Sequence, residues 1–185
     1  MKTISDFCLF SFLLFLMTRL KNQLIAKMFT RFPSLVERWV KKSPPLKFED
    51  IPWTPVTKLL KDCKIAIVTT AGVHLKTQKL FDMHDPYGDP TYREIPANAT
   101  KEQLMITHDY YDHKDADKDI NIVYPVDRLQ ELRQAGEIGS IAEVHFGFMG
   151  HIDGDHIDTL IKETAPEVAR KLKMQGVDAV LLTPG

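Results

Sequence analysis

Lys64-Ile-Ala-Ile-Val-Thr-Thr70, running on into Ala71-Gly72-Val73-His74, is the stretch on which the fold turns. Ile65, Ile67, Val68, Thr69 and Thr70 are β-branched, and the apolar residues are consecutive instead of alternating. A strand hidden on both faces reads this way, and strands of that kind belong to sheets covered by a layer on each side. The run ends in glycine-containing backbone. In open α/β sheets the ligand crevice lies at that place, outside the carboxyl ends of the strands. No GxGxxG and no GxxxxGK[ST] follows, so a nucleotide is not the expected ligand.

Further strands and helices alternate downstream. Gln103 to Thr107 and Ile120 to Val123 are candidate strands. Pro125 stands where proline best opens a helix, with Val126, Leu129 and Leu132 as its apolar stripe and Gly136 as its stop. Val144, Phe146 and Phe148 alternate with His145 and Gly147, which predicts another strand. Thr164 and Glu167 have capping-box spacing around Pro166, opening a helix expected to bury Ala165, Val168, Ala169 and Leu172 and to end at Gly176. Val177 to Leu182 predicts a last strand of the fully buried type. The class is therefore α/β, a mainly parallel open sheet with flanking helices. The sheet reads as incomplete at the C-terminus, because the chain stops at Gly185 straight after its last apolar run.

Upstream, Phe7 to Met17 is an apolar run too short to span a bilayer as a helix, which takes about 20 residues. Asp6 and the lack of a small-x-small site argue against a signal peptide. Arg19, Lys21, Lys27, Arg31, Arg38, Lys41 and Lys42 then make a basic stretch, with Leu20, Leu24, Met28 and Phe32 at helical spacing until Pro33 intervenes. Residues 1–45 are read as a helical arm and a Ser43-Pro-Pro linker, docking on the protein or a partner, with contact to a membrane surface as the second reading. Residues 46–185 are read as the α/β domain. Its segment 76–99 has no period and is dense in turn formers between Phe81 and Pro90. Such a segment is either functional or a solvated excursion.

The 185 residues carry 24 basic and 25 acidic side chains, a net charge of -1 that argues against a nucleic-acid partner. With 44% hydrophobic residues the chain is not disordered as a whole. Cys8 and Cys63 cannot build a disulfide framework or a four-thiolate zinc site, and their scarcity fits a reducing cytoplasm.

Chemistry is densest at His108-Asp-Tyr-Tyr-Asp-His113, followed by Asp115, Asp117 and Asp119. A strand ending in His, with Asp-His four and five residues on, resembles the HxHxDH signature of metallo-β-lactamase-type hydrolases, in which zinc activates a water. Tyr110 stands at the second His position of that signature. A single-metal hydrolase site of His108, Asp112 and His113 is therefore one alternative; a polar loop whose His and Asp pair with each other is another. The Asp115, Asp117, Asp119 ladder lacks the Gly and Glu of a calcium loop. His151, Asp153, Asp155 and His156 form a second candidate cluster near His145, against the alternative of a solvated turn. Arg93 and Arg128 are candidate carboxylate clamps or, alternatively, members of salt bridges.

An ordered series of segments carries a family resemblance. The segments are Ile51-Pro-Trp-Thr-Pro55, Ile65 to His74, Tyr92-Arg-Glu-Ile-Pro96, Asn121 to Leu129, Glu137-Ile-Gly-Ser140, His145-Phe-Gly-Phe-Met-Gly150 and Gly176 to Gly185. Together they resemble the selenoprotein B family of the glycine, sarcosine, betaine and D-proline reductases over residues 48–185. The resemblance implies an oxidoreductase that reductively cleaves a C–N bond of a small amine or amino acid. It works with other reductase subunits and a thioredoxin-type electron donor, and needs no cofactor beyond a built-in selenocysteine. Family chains continue after Thr-Pro-Gly with a selenocysteine or cysteine, two residues and a second cysteine. A selenolate or thiolate there attacks the substrate carbon, the amine leaves, and the carbon passes to a partner selenoprotein.

No residue of this chain matches the redox pair: Cys63 precedes a strand and Cys8 lies in the arm. Selenocysteine is encoded by UGA, so the ending reads as a selenoprotein cut at that codon, inactive as it stands. Crevice logic assigns substrate contacts to Gly72, His74, His108, Asp112, His113 and Arg128. Zinc enters only under the hydrolase alternative, and a non-catalytic subunit is the third reading.

Overall fold

The computed structural model describes residues 20–42 and 54–185. The apolar run Phe7 to Met17 and the Ser43-Pro-Pro linker lie outside them. The chain divides into two units, one of Met1–Pro55 with Asp109–Asp112, the other of Val56–His108 with His113–Gly185.

In the first unit, helical residues 20–31 (α1) are followed by α2, Pro33–Lys42. The break falls at Phe32, because Pro33 has no N–H to continue α1 and is well placed to start α2. The expected row of Leu20, Leu24, Met28 and Phe32 is exposed, whereas Ala26 is buried. Gln23 Nε2 donates to Asp109 Oδ1 at 3.0 Å. No helix among the described residues is long and apolar enough to cross a membrane.

The second unit is built on β1, Lys64–Thr69, the strand expected from the opening stretch. It pairs in parallel with β5 (Ser140–Ile141), β6 (Val144–Phe148) and β7 (Ala179–Thr183). β7 runs along β1 from Ile65 to Thr69, so β5 and β6 share the other side, at its start and end respectively. β3, Tyr92–Pro96, closes that side antiparallel to β6. A separate antiparallel pair joins β2, Val73–Leu75, to β4, Leu104–Ile106. The α/β class and the mostly parallel sheet are as expected.

Side-chain alternation sorts the core into two faces. Ala66, Phe146 and Phe148 meet Val168 and Leu172 of α5, Ala165–Met174. Tyr92 stacks its ring at 5.7 Å from both Phe146 and Phe148. His145 faces the opposite way, where Tyr124 packs edge-on to it. Helix α3, Val126–Gln134, buries Val126 and Leu129 as its stripe predicts, while Leu132 stays exposed.

Five expectations about elements are corrected. Ile120–Ile122 is one 3₁₀ turn, not a strand, because the Asp119 side chain accepts the Asn121 N–H and caps it. The Gln103–Thr107 run keeps three strand residues, its start being taken by a 3₁₀ turn at Lys101–Gln103. Thr164 caps nothing: α4, His156–Thr159, passes through a π-helical stretch at Leu160–Thr164 directly into α5. Ala165 and Ala169 of that helix are exposed. The last strand forms, but Val180, Leu181 and Leu182 are exposed where its composition predicts full burial.

Candidate functional site

The carboxyl ends of β1 and β7 are fastened together. Thr70 N donates to Thr183 O at 2.9 Å, and the Thr69 and Thr183 hydroxyls both donate to Val123 O, at 2.9 and 2.7 Å. Beyond Thr70 the backbone leaves the main sheet. Ala71 bridges to Met149, Gly72 N donates to Phe148 O, and Gly72 O accepts from Thr107 N. Gly72 makes that crossing with φ +73°, and a Cβ on it would stand 2.4 Å from Thr107 O. Only glycine meets both demands.

The crossing brings β4 to the strand ends, and His108, which follows β4, is buried there. Gly150 closes the other side: a Cβ on it would lie 2.8 Å from Thr70 O and 3.0 Å from His108 Nε2. A Cβ on Gly185 would lie 2.5 Å from Ala71 Cα. Thr70, Ala71, Gly72, His108, Gly150 and Gly185 thus converge where an open α/β sheet presents its ligands. Gly150 and Gly185 close two of the segments that carry the family resemblance, but how closely the backbone passes at them is visible only in the structure.

His74, the second histidine assigned to this region, is fully buried. Its Nδ1–H donates to Leu75 O at 2.8 Å, so Nε2 accepts the Thr107 hydroxyl at 2.8 Å. Burial lowers its pKa, the backbone hydrogen bond partly opposes this, and the Arg93 charge lowers it further. The ring is therefore held neutral, and it orients Thr107 beside His108.

Asp112 groups with the arm, in the 109–112 stretch of the first unit. His113 Nδ1 pairs with Asp117 Oδ2 at 2.8 Å, four residues on. Arg128 is exposed on α3 and pairs with Glu131 at 2.7 Å. Arg93 donates to Lys79 O, Leu80 O, Tyr92 O and the Thr91 hydroxyl, and lies over the Phe81 ring at 4.3 Å. Its guanidinium is committed to holding the irregular segment together.

That segment is docked by the histidines downstream. His151 Nε2–H donates to Pro86 O at 2.8 Å, and His156 Nε2 meets Asp85 Oδ2 at 2.9 Å. A cavity of about 490 Å³ opens among Lys79, Asp82, Asp89, Arg93 and His156. Among the described residues, no three His, Cys, Asp or Glu side chains are gathered as a metal ion would need.

His145 has a use that its sequence position hides. Between the β5 and β6 pairings of β1, the Ile67 N–H is met by His145 Nδ1 at 3.1 Å. An imidazole thus fills a missing rung of the ladder. Burial pushes its pKa down to about 4 and pushes the neighbouring Tyr124 phenol up.

A model of the glycine/sarcosine/betaine reductase selenoprotein B family matches residues 36–185. The chain belongs to this family. It is 47% identical over 133 residues to the D-proline reductase subunit gamma of Acetoanaerobium sticklandii, covering 72% of this chain and 53% of that one. With the glycine reductase complex component B subunit gamma of Symbiobacterium thermophilum it shares 29% identity over 154 residues, covering 80% and 34%. With the betaine reductase complex component B subunit beta of Peptoclostridium acidaminophilum it shares 32% over 135 residues, covering 68% and 29%. The chain thus spans about half the length of the first of these relatives and about a third of the other two. No solved structure matches it.

Proposed function

We propose that this chain is the part of a cytoplasmic reductase component that binds a small amine or amino acid and presents its C–N bond to a redox residue entering after Gly185. The observation that carries the reading is the convergence of Thr70, Ala71, Gly72, His108 and Gly150 around the Gly185 backbone at the carboxyl ends of β1 and β7. A residue continuing from Gly185 starts beside that crevice. Family membership supports the reaction class.

The proposed step balances as follows. A selenolate or thiolate attacks the substrate carbon, a C–Se or C–S bond forms, and the C–N electron pair leaves with nitrogen, which takes a proton. A selenolate or thiolate of a partner reductase subunit then displaces the redox residue from that carbon and frees it without a redox change. A dithiol donor of thioredoxin type finally gives two electrons and two protons to the new carbon–chalcogen bond, which breaks to release the reduced carbon product and the partner's selenol or thiol, while the dithiol becomes a disulfide. Within this reading Gly72 and the crossing backbone shape the floor of the crevice, His108 stands in its wall, and His74 positions Thr107 from beneath. Roles for Asp112, His113 and Arg128 in substrate contact belong to the same proposal, and the geometry at the strand ends lends them no support.

Two experiments test it. The genomic codon after that of Gly185 is expected to be TGA, with a cysteine codon after two further residues; TAA or TAG there overturns the reading. The full-length product, supplied with partner subunits and a dithiol, is expected to cleave the C–N bond of at least one of glycine, sarcosine, betaine and D-proline. Replacing His108 by Ala is expected to lower kcat/KM at least about tenfold, the scale of losing one well-placed polar contact.

A further inference from the structure

Strand β7 has the composition of an interior strand and the position of an edge. Ala179-Val-Leu-Leu-Thr183 carries no charge and no proline. It pairs with β1 on one side, and no other described strand meets it. Edge strands in natural proteins are guarded by charges, proline, bulges or brevity, because bare backbone groups recruit other chains. The opposite end of the sheet follows that rule: β3 holds Arg93 and Glu94 and ends in Pro96.

Both faces of β7 are open as well. Its register puts Val180 beside Ala66 and Leu182 beside Val68, on the face covered by α5, and Leu181 beside Ile67 on the other. Val180 is 38% exposed, Leu181 39% and Leu182 73%. Ala66 and Ile67, one strand inward, are fully buried. The covering layers therefore stop short of β7 on both sides. A single added strand would close the edge and leave Leu182 bare, so the missing piece has at least a strand and a helix. Subunits of this family have room for one: the D-proline reductase subunit gamma carries about as much polypeptide outside the matched region as within it.

We propose that β7 is an interior strand in the assembled protein, and that its edge and apolar faces are the docking surface for a strand-and-helix unit from the half of the family subunit absent from these 185 residues. The proposal rests on family membership and not on the reductase chemistry, so its readouts are exchange and stability instead of turnover.

The part of the Acetoanaerobium sticklandii subunit that follows its matched region is fused after Gly185, and the fusion is compared with the 185-residue chain. Amides of residues 179–183 are expected to exchange at least about tenfold more slowly in the fusion, as interior strands do. Leu182→Lys is expected to move the melting temperature of the short chain by less than about 2 °C and to lower that of the fusion by more than about 8 °C. Ile122→Lys, at another exposed apolar site, should shift both alike. Equal exchange in the two proteins, an equal effect of Leu182→Lys in both, or a fusion that melts no more cooperatively than the short chain overturns the proposal. So does protection at 179–183 that disappears on dilution, since a second copy would then be the occupant.

Discussion

His145 shows how one side chain can complete a sheet. The spacing of β5 and β6 along β1 leaves the Ile67 N–H without a backbone acceptor at that point, and the imidazole supplies one. His145→Leu should orphan a buried donor and lose about 1–3 kcal/mol of stability. His145→Asn, which restores an acceptor, should lose less. The same residue fixes a pH dependence. The folded form takes up its proton only near pH 4, whereas an unfolded histidine does so near 6.5. Between those values the unfolded chain binds more protons, so stability is complete above about pH 6.5 and falls as pH drops toward 4, by up to about 3 kcal/mol. Urea unfolding at pH 7 and pH 5 measures the drop, and the Asn variant should flatten it. Gly72 and Gly136 make a second test. Both have positive φ, but a Cβ meets Thr107 O at the first and nothing within 4 Å at the second. Gly136→Ala should lose about 1 kcal/mol and Gly72→Ala at least about 3. Equal losses would mean that the close approach at Gly72 is not what requires glycine.

At the scale of elements, the readable signals were long apolar runs. The β1 run, the alternation of β6 and the α3 and α5 stripes each produced the expected element, because burial of an apolar face is what stabilises it. Short runs failed. Ile120 to Val123 is apolar enough for a strand, yet one carboxylate at Asp119 tips three of its residues, Ile120–Ile122, into a 3₁₀ turn. The 164–167 spacing suits a cap, yet a helix already in progress from His156 makes the cap unnecessary. The helix α5 offers a graded test. Leu172→Ala removes a buried contact with the sheet and should lose about 2–5 kcal/mol, while Met174→Ala, at 86% exposure, should change stability by less than about 0.5. Denaturant melts of the two variants check the contrast.

For the whole molecule, the balance of covered and uncovered surface decides behaviour. A sheet whose β7 leaves both faces open forfeits the burial that would hold that strand. The 185-residue chain by itself is therefore expected to melt broadly and below about 50 °C, under the middle of the range for mesophilic domains. Differential scanning calorimetry checks this, and a sharp transition above that temperature would contradict it.

The α/β class, the order of the main elements and the family were legible in the 185 residues, because apolar periodicity and the ordered segments are local properties of a chain. Which histidine stands at the strand ends was not. His74, His108 and His113 look equally chemical in sequence, but the backbone crossing at Gly72 buries the first as a brace and sets the second in the crevice wall. The third is turned to Asp117. Tertiary structure alone made those choices, since close approach of backbones from β1, β4, β6 and β7 is a property of their packing and leaves no periodic trace in any one of them.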